Sequence, residues 1–307
     1  MTAINLVYLY LLSPLHTGGT TQEGNLLGIA RESHTNLPYI PSSTIRGRLR
    51  ASETDRIKKV LLFGPELEDI TNRQFVEEFS SETGKELKQL EQGAIWVGDG
   101  SILWIPISSL SHGVIWISSP FLLQRWARLK GGTIANPIAI PKSYSTNLNN
   151  TNRVYLKDVI LQKDNLKPWE EDYNDYIPHN QHLAIENVLV LPDRFISTVV
   201  QMSLWRQVKI KLYEYKTVDG GLRYEEAIPP DTLMYFPWGV TSQANSTNNQ
   251  QVNSPDSNPN QLFRDLLAEL NTIQIGGQES LGRGFAKMKM KTSSNLSAKN
   301  YVGSCLD

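Results

Sequence analysis

The chain has almost no cysteine. Its only one, Cys305, stands near the C-terminus, and a lone thiol can form neither an internal disulfide nor a cysteine-built metal cage. That composition suits a reducing cytoplasm, where the protein is expected to reside. An excess of either charge is also missing, since 30 Lys and Arg face 31 Asp and Glu. This excludes a basic protein that coats nucleic acid through bulk charge. It does not exclude a local basic track, because steering depends on where charges sit. Long hydrophobic runs are missing too. The apolar stretch Ile4 to Leu12 lacks a basic leader and is too short to cross a bilayer. It reads as a first β-strand, and no membrane partner is expected.

What is present can build a sizeable core: 307 residues, 40% of them hydrophobic. A glycine-rich loop, Thr17 to Gly28, follows the first strand. Ser42 or Ser43 is a good N-cap, and Ile45, Leu49, Ile57, Val60 and Leu61 predict one helix that stops at Phe63-Gly64-Pro65. Residues 66–92 are polar and read as a surface excursion. Ala94 to Pro106 predicts a strand pair or a kinked strand, turning at Gly98-Asp99-Gly100. A helix is expected from Ser119 or Pro120 to Leu129, with Leu122, Leu123 and Trp126 on one face. Val154 to Leu161 alternates like one strand. Pro192 to Met202 predicts a helix with Phe195, Val199 and Met202 on one side. Trp205 to Lys216 alternates, Asp219-Gly220-Gly221 turns, and Leu222 to Ala227 returns, which gives a β-hairpin over 205–230. Thr232 to Trp238 adds another strand, so the stretch reads as a hairpin or a meander. Residues 242–260 are dominated by Asn, Gln and Ser and predict a mobile loop. A short helix, a strand at Ile273, a glycine loop from Gly276 to Gly284 and a last strand, Phe285 to Met290, close the chain. This order suits a single α+β domain, 1–307, with a ferredoxin-like or RNA-recognition-motif-like core and insertions.

Several stretches, in order, resemble one family. They are Ser13-Pro14-Leu15-His16-Thr17-Gly18-Gly19, Ile29-Ala30-Arg31-Glu32-Ser33-His34-Thr35 and Ile40 to Arg50. Leu62-Phe63-Gly64-Pro65, Gly98 to Leu103, and Pro106 to Ser109 with Ser118-Ser119-Pro120 follow. Glu225 to Leu233 and the closing loop Ile275 to Gly284 complete the set. Together they are similar to the RAMP superfamily of CRISPR proteins, and within it to the fourth, backbone-type subunit of type III-B Cmr complexes. The resemblance implies a ribonucleoprotein subunit that polymerises with copies of itself along a guide RNA. Such a subunit presents the guide to target RNA beside other type III effector subunits, and a hairpin thumb interrupts the pairing. It further implies RNA contacts at His16, Arg31, Ser43, Arg46, Arg48, Arg50, Gly276, Gly277, Gly282, Arg283 and Gly284. The thumb residues would be Lys209, Lys211, Tyr213 and Arg223.

Some of these positions carry chemistry of their own. Arginines near a helix N-terminus suit phosphate, although Arg46, Arg48 and Arg50 could equally line a solvated face. Glycine loops can cradle phosphate and are also plain turns. Lys209, Lys211, Lys216 and Arg223 interleave with Tyr213, Tyr215 and Tyr224, a pattern that tracks a backbone and stacks on bases, or an ordinary amphipathic hairpin. His16 and His34 could perform acid–base work on RNA, as a guide-processing ribonuclease would, or could simply hold the loop. In several members of the family a loop aspartate cuts target RNA with a divalent metal, and that position registers on Leu26. No aspartate occurs between Met1 and Arg50. Leucine can neither bind a metal nor accept a proton. A subunit that binds guide and target but cuts poorly or not at all is therefore expected, with no cofactor. The alternative is a Mg²⁺-dependent endonuclease that uses Glu23.

Overall fold

The computed structural model describes residues 4–23, 26–131, 137–148, 153–157, 159–170, 172–179, 183, 185–210, 213, 215, 217, 221–242, 244 and 258–290. The strands are β1 (Asn5–Leu11), β2 (Gly18–Glu23), β3 (Leu26–Ile29), β4 (Tyr39–Ile40), β5 (Ile95–Val97), β6 (Gly100–Ser109) and β7 (Gly113–Ser118). They continue with β8 (Ser145–Thr146), β9 (Arg153–Leu156), β10 (Val159–Gln162), β11 (Lys167–Pro168), β12 (Val188–Val190) and β13 (Trp205–Lys209). The last four are β14 (Arg223–Ala227), β15 (Leu233–Val240), β16 (Thr272–Gln274) and β17 (Phe285–Met290). The α-helices are α1 (Ser42–Ser52), α2 (Arg56–Phe63), α3 (Leu67–Thr71), α4 (Arg73–Thr83), α5 (Pro120–Lys130), α6 (Asp193–Ser203) and α7 (Pro259–Glu269).

Among the described residues the strands form two sheets. The larger runs β11-β8-β12-β7-β6-β15-β1-β17-β16, with β4 and β9 also on β6, β10 on β9 and β5 on β15. The smaller runs β13-β14-β3-β2. β1 lies between β15 and β17, antiparallel to both. After Asn5 it has no purely polar residue, because both faces are covered. Val7, Leu9 and Leu11 join a core with α1, α2, α6 and α7. Leu6 and Tyr8 join a second core with Leu123 and Trp126 of α5. β6 switches sides part-way, with Ile102 in the first core, Leu103 and Trp104 in the second, and Ile105 and Ile107 back in the first. The register slip opposite Leu233 and Met234, a bulge that inserts one residue, accounts for the break in alternation. No described helix is long and apolar enough to cross a membrane.

The single helix expected from Ser42 to Phe63 is two. α1 ends at Ser52, and Asp55 caps α2 by accepting the amides of Ile57 and Lys58. Pro41, not a serine, occupies the α1 N-cap, and Asp99 accepts the Ser42 amide at 2.7 Å. β5 and β6 do not pair with each other; they follow in line along β15, so the Gly98-Asp99-Gly100 turn is a kink. Val154 to Leu161 is a tight hairpin, β9–β10, with Lys157 at positive φ. α6 begins at Asp193 and buries Ile196, Val199 and Val200, which leaves Phe195 exposed. The stretch 66–92 carries α3 and α4, and Phe75, Phe79 and Leu87 pack with Val60 in a core of their own. The β13–β14 hairpin does not extend into a meander: β14 pairs with β3, whereas β15 belongs to the large sheet. Of the expected mobile loop 242–260, residues 243 and 245–257 lie outside the described residues.

Candidate nucleic-acid interface

The small sheet brings together segments far apart in sequence. β14 runs parallel to β3, with Tyr224 opposite Leu26 and Glu225 opposite Leu27. β2 runs antiparallel to β3, with the Glu23 backbone opposite Leu26. Beside this junction lies a cleft of about 540 Å³, lined by Leu26, Arg31, Glu32, Gln201 and Glu226 among others. The Glu226 carboxylate is only 2% exposed. It accepts from Arg31 Nη2 at 2.6 Å and from Arg206 Nε at 3.0 Å. Arg31 Nη1 donates to Gln201 Oε1 at 2.5 Å. Across the cleft Arg125 grips Glu32 with two bonds, 2.6 and 3.1 Å, and the Thr35 hydroxyl donates to the same carboxylate. Burial alone would raise the Glu32 carboxyl, but Arg125 and Thr35 outweigh it and hold the group below the usual carboxylate range.

That donor set does not fit a divalent cation. The Leu26 side chain offers no oxygen, and both described acids of the cleft already neutralise arginines. Among the described residues no group of three or more His, Cys, Asp and Glu is placed to hold a metal.

The two candidate histidines face different partners. His16 is buried, and its Nδ1 lies 2.9 Å from the Glu226 carbonyl oxygen. His34 is exposed and stands 3.9 Å from Glu32. The closing glycine loop packs against the His16 backbone. The Gly277 amide donates to the His16 carbonyl at 3.0 Å, and a Cβ on Gly276 would overlap that oxygen. Gly276, Gly282 and Gly284 all take positive φ. Gln274 Nε2 ties the loop ends together through the carbonyls of Gly276 and Arg283. Arg283, expected to face RNA, is 4% exposed. Its guanidinium donates to Gln207 at 2.7 Å, lies 3.5 Å from Glu225 and covers the Trp205 ring at 4.2 Å.

The arginines of α1 divide. The helix ends at Ser52, so Arg50 stands in its last turn, away from the positive dipole end. Arg50 donates to the Gly64 carbonyl at 2.6 Å and to Glu66 at 2.9 Å. Arg46 donates to the Phe63 carbonyl and lies over the Phe63 ring. Burial, then Arg50, depresses the Arg46 pKa. Both therefore satisfy carbonyls at the C-terminal end of α2. Arg48 is half-buried with no hydrogen-bond partner at Nε, and Ser43 is exposed.

On the hairpin, Lys209 pairs with Glu225 at 2.6 Å. Arg223, Tyr213, Tyr215 and Tyr224 are exposed. Lys211 and Lys216 lie outside the described residues. The sequence reading overlooked Glu225, Glu226, Arg125, Arg206 and Gln201. The one local signal was a Glu-Glu pair followed directly by buried Ala227 and Ile228, which places two acids at the inward end of a strand.

The RAMP superfamily model matches residues 8–287. A curated relative, the CRISPR system Cmr endoribonuclease Cmr4 of Pyrococcus furiosus, is 30% identical over 94% of this chain and 96% of its own. The crystal structure of oligomeric Cmr4 from Pyrococcus furiosus superposes with a TM-score of 0.64 at 24% identity, covering 95% of this chain and 100% of that one. A Type III-B Cmr-beta chain, in a complex bound to cognate target RNA, gives a TM-score of 0.61 at 17% identity over 94% and 96% of the two chains.

Proposed function

The chain belongs to the RAMP superfamily, and from that premise we propose that it is a backbone subunit of a type III-B CRISPR effector that binds without cutting. It polymerises with copies of itself along a guide RNA in the cytoplasm, beside other effector subunits, and presents the guide to target RNA. The observation that carries the absence of cutting is Leu26. The side chain lines the cleft where Arg31, Glu32 and Glu226 converge and contributes no ligand there.

The core of this single domain is read as ferredoxin-like. The central order β6-β15-β1-β17, antiparallel throughout, supports this, with α1 and α2 between β1 and β6 and α7 between β15 and β17. Guide phosphates are assigned to α1 at exposed Ser43 and half-buried Arg48. Arg46 and Arg50 shape the corner beneath them, and the glycine loop shapes the wall beside His16. The hairpin, with exposed Arg223 and tyrosines, divides the duplex.

The test is to assemble the protein with guide RNA and partner subunits, add complementary RNA and Mg²⁺, and run Leu26→Asp in parallel. The natural protein should leave the target intact at evenly spaced sites, and the variant should cut there. Evenly spaced cuts by the natural protein, with no other subunit responsible, would overturn the reading. They would favour Glu23, whose backbone is registered opposite Leu26, and Glu23→Gln should then abolish them. Metal-independent cleavage of repeat RNA by the free protein would instead favour guide processing by His16 and His34.

A further inference from the structure

The β13–β14 hairpin carries little apolar burial of its own; the core residues Leu204 and Ile228 lie just outside its two strands. Along β13 and β14 the only buried residues are Glu225, Glu226 and Ala227. Val208 and Tyr224 are exposed, as is Ile210 just beyond β13. Apolar burial is non-directional, and here there is little of it to fix an orientation.

Glu225 and Glu226 are consecutive residues of a strand, so their side chains leave opposite faces of the small sheet. Each engages a different part of the body. Glu225 meets Arg283 of the glycine loop, which is itself seated on the His16 carbonyl. Glu226 meets Arg31, which is itself bonded to Gln201 of α6. Each also takes a cation from β13: Lys209 for Glu225 and Arg206 for Glu226. Arg283 adds two contacts to β13, a bond to Gln207 and its stack on Trp205. The hairpin root is thus held on the Glu226 face by charge-assisted bonds from Arg31 and Arg206, and on the Glu225 face by an ion pair to Arg283, 3.5 Å away, with no hydrogen bond between the two.

We propose that Glu225 and Glu226, acting through Arg283 and Arg31, are positioning residues that set the angle of the hairpin against the body. Through that angle they set where the duplex is interrupted, and this last step rests on the function proposed above. Removing either side leaves a hinge about the other. The root opens without the core unfolding, because the apolar clusters contain none of these residues.

The angle can be read without RNA. Spin labels at Arg223→Cys, on the hairpin, and Gln124→Cys, on the exposed side of α5, report their separation by pulsed electron resonance in a Cys305→Ser chain. Glu225→Gln and Arg283→Gln should each broaden the distance distribution about twofold. Arg283→Lys, which keeps the charge, should stay near the parent. Should Glu225→Gln fail to fold, Lys209→Gln removes half of that carboxylate's pairing from a half-buried position and should broaden the distribution less. Widths unchanged in all folded variants would overturn the proposal. Unlabelled variants assembled with guide and target RNA are then probed chemically along the target. The parent should show evenly spaced unpaired positions that become irregular in Glu225→Gln. Broadened distances, with no such spacing even in the parent, would uphold the clamp and sink the duplex-dividing reading alone.

Discussion

Replacing Arg31 tests whether the cleft is held by charge. Arg31→Met keeps the length and apolar stem of the side chain but removes the bonds to Glu226 and Gln201. Glu226 is then a buried carboxylate with one remaining cation, Arg206, whose side chain is 56% exposed. Breaking a buried pair costs about 3–5 kcal/mol. Because Arg206 stays, the lower end applies, near ~3 kcal/mol. At ~2–3 °C per kcal/mol this lowers Tm by roughly 6–9 °C. Glu226→Met should cost less, about 1–2 kcal/mol, since the two arginines it releases can reach water. The double variant replaces a charged pair by apolar groups of similar volume, which is often near neutral, so it should be more stable than Arg31→Met alone. Urea unfolding gives the comparison, as midpoint shifts at constant slope. Losses that simply add, or a loss for Arg31→Met under ~1 kcal/mol, would refute the argument that the desolvated Glu226 charge dominates.

Two further outcomes follow from geometry and charge. Gly284 has φ of +77°, and a Cβ there would overlap the Ile275 carbonyl, so Gly284→Ala should destabilise by roughly 3 kcal/mol, read by thermal melting, while Gly113→Ala, in open space, should cost only its backbone strain of about 1 kcal/mol. The Glu32 pKa is depressed in the folded protein, so its stabilising contribution is complete above the ordinary carboxylate value of about 4.3 and is lost as pH falls below it. Arg125→Gln should flatten that acid limb of the stability profile, followed by tryptophan fluorescence.

The sequence was most readable where a local rule and the tertiary need agree. β17 begins and ends where alternation placed it, and α5 starts at Ser119-Pro120 with the serine hydroxyl accepting the Leu122 amide. It misled where the rule was local and the partner remote. At Gly98 the sequence left a strand pair and a kinked strand both open, because nothing nearby reveals that β5 and β6 both lie along β15. Asp55 caps α2, but the apolar spacing across it carries on and hides the break between α1 and α2. In the site, the position of Leu26 on the cleft was reachable by registering the motif around Arg31. The fate of the arginines was not. Whether Arg46, Arg50 or Arg283 faces solvent or a carbonyl depends on contacts from Phe63, Gly64 and Glu225, which composition cannot pair in advance.

The place of β1 in the large sheet bears on how the chain is made. Asn5 pairs with Trp238 and Val7 with Met290, so β1 leaves the ribosome long before either of the strands that flank it. At a synthesis rate of about 5–20 residues per second, it waits on the order of ten seconds or more for β15. Throughout that wait both of its apolar faces and both of its hydrogen-bonding edges are open. A strand in that state is a target for chaperones, or for the same strand of a neighbouring nascent chain. In a protein proposed to assemble as many copies on one RNA, production crowded on a single message is where mispairing would begin.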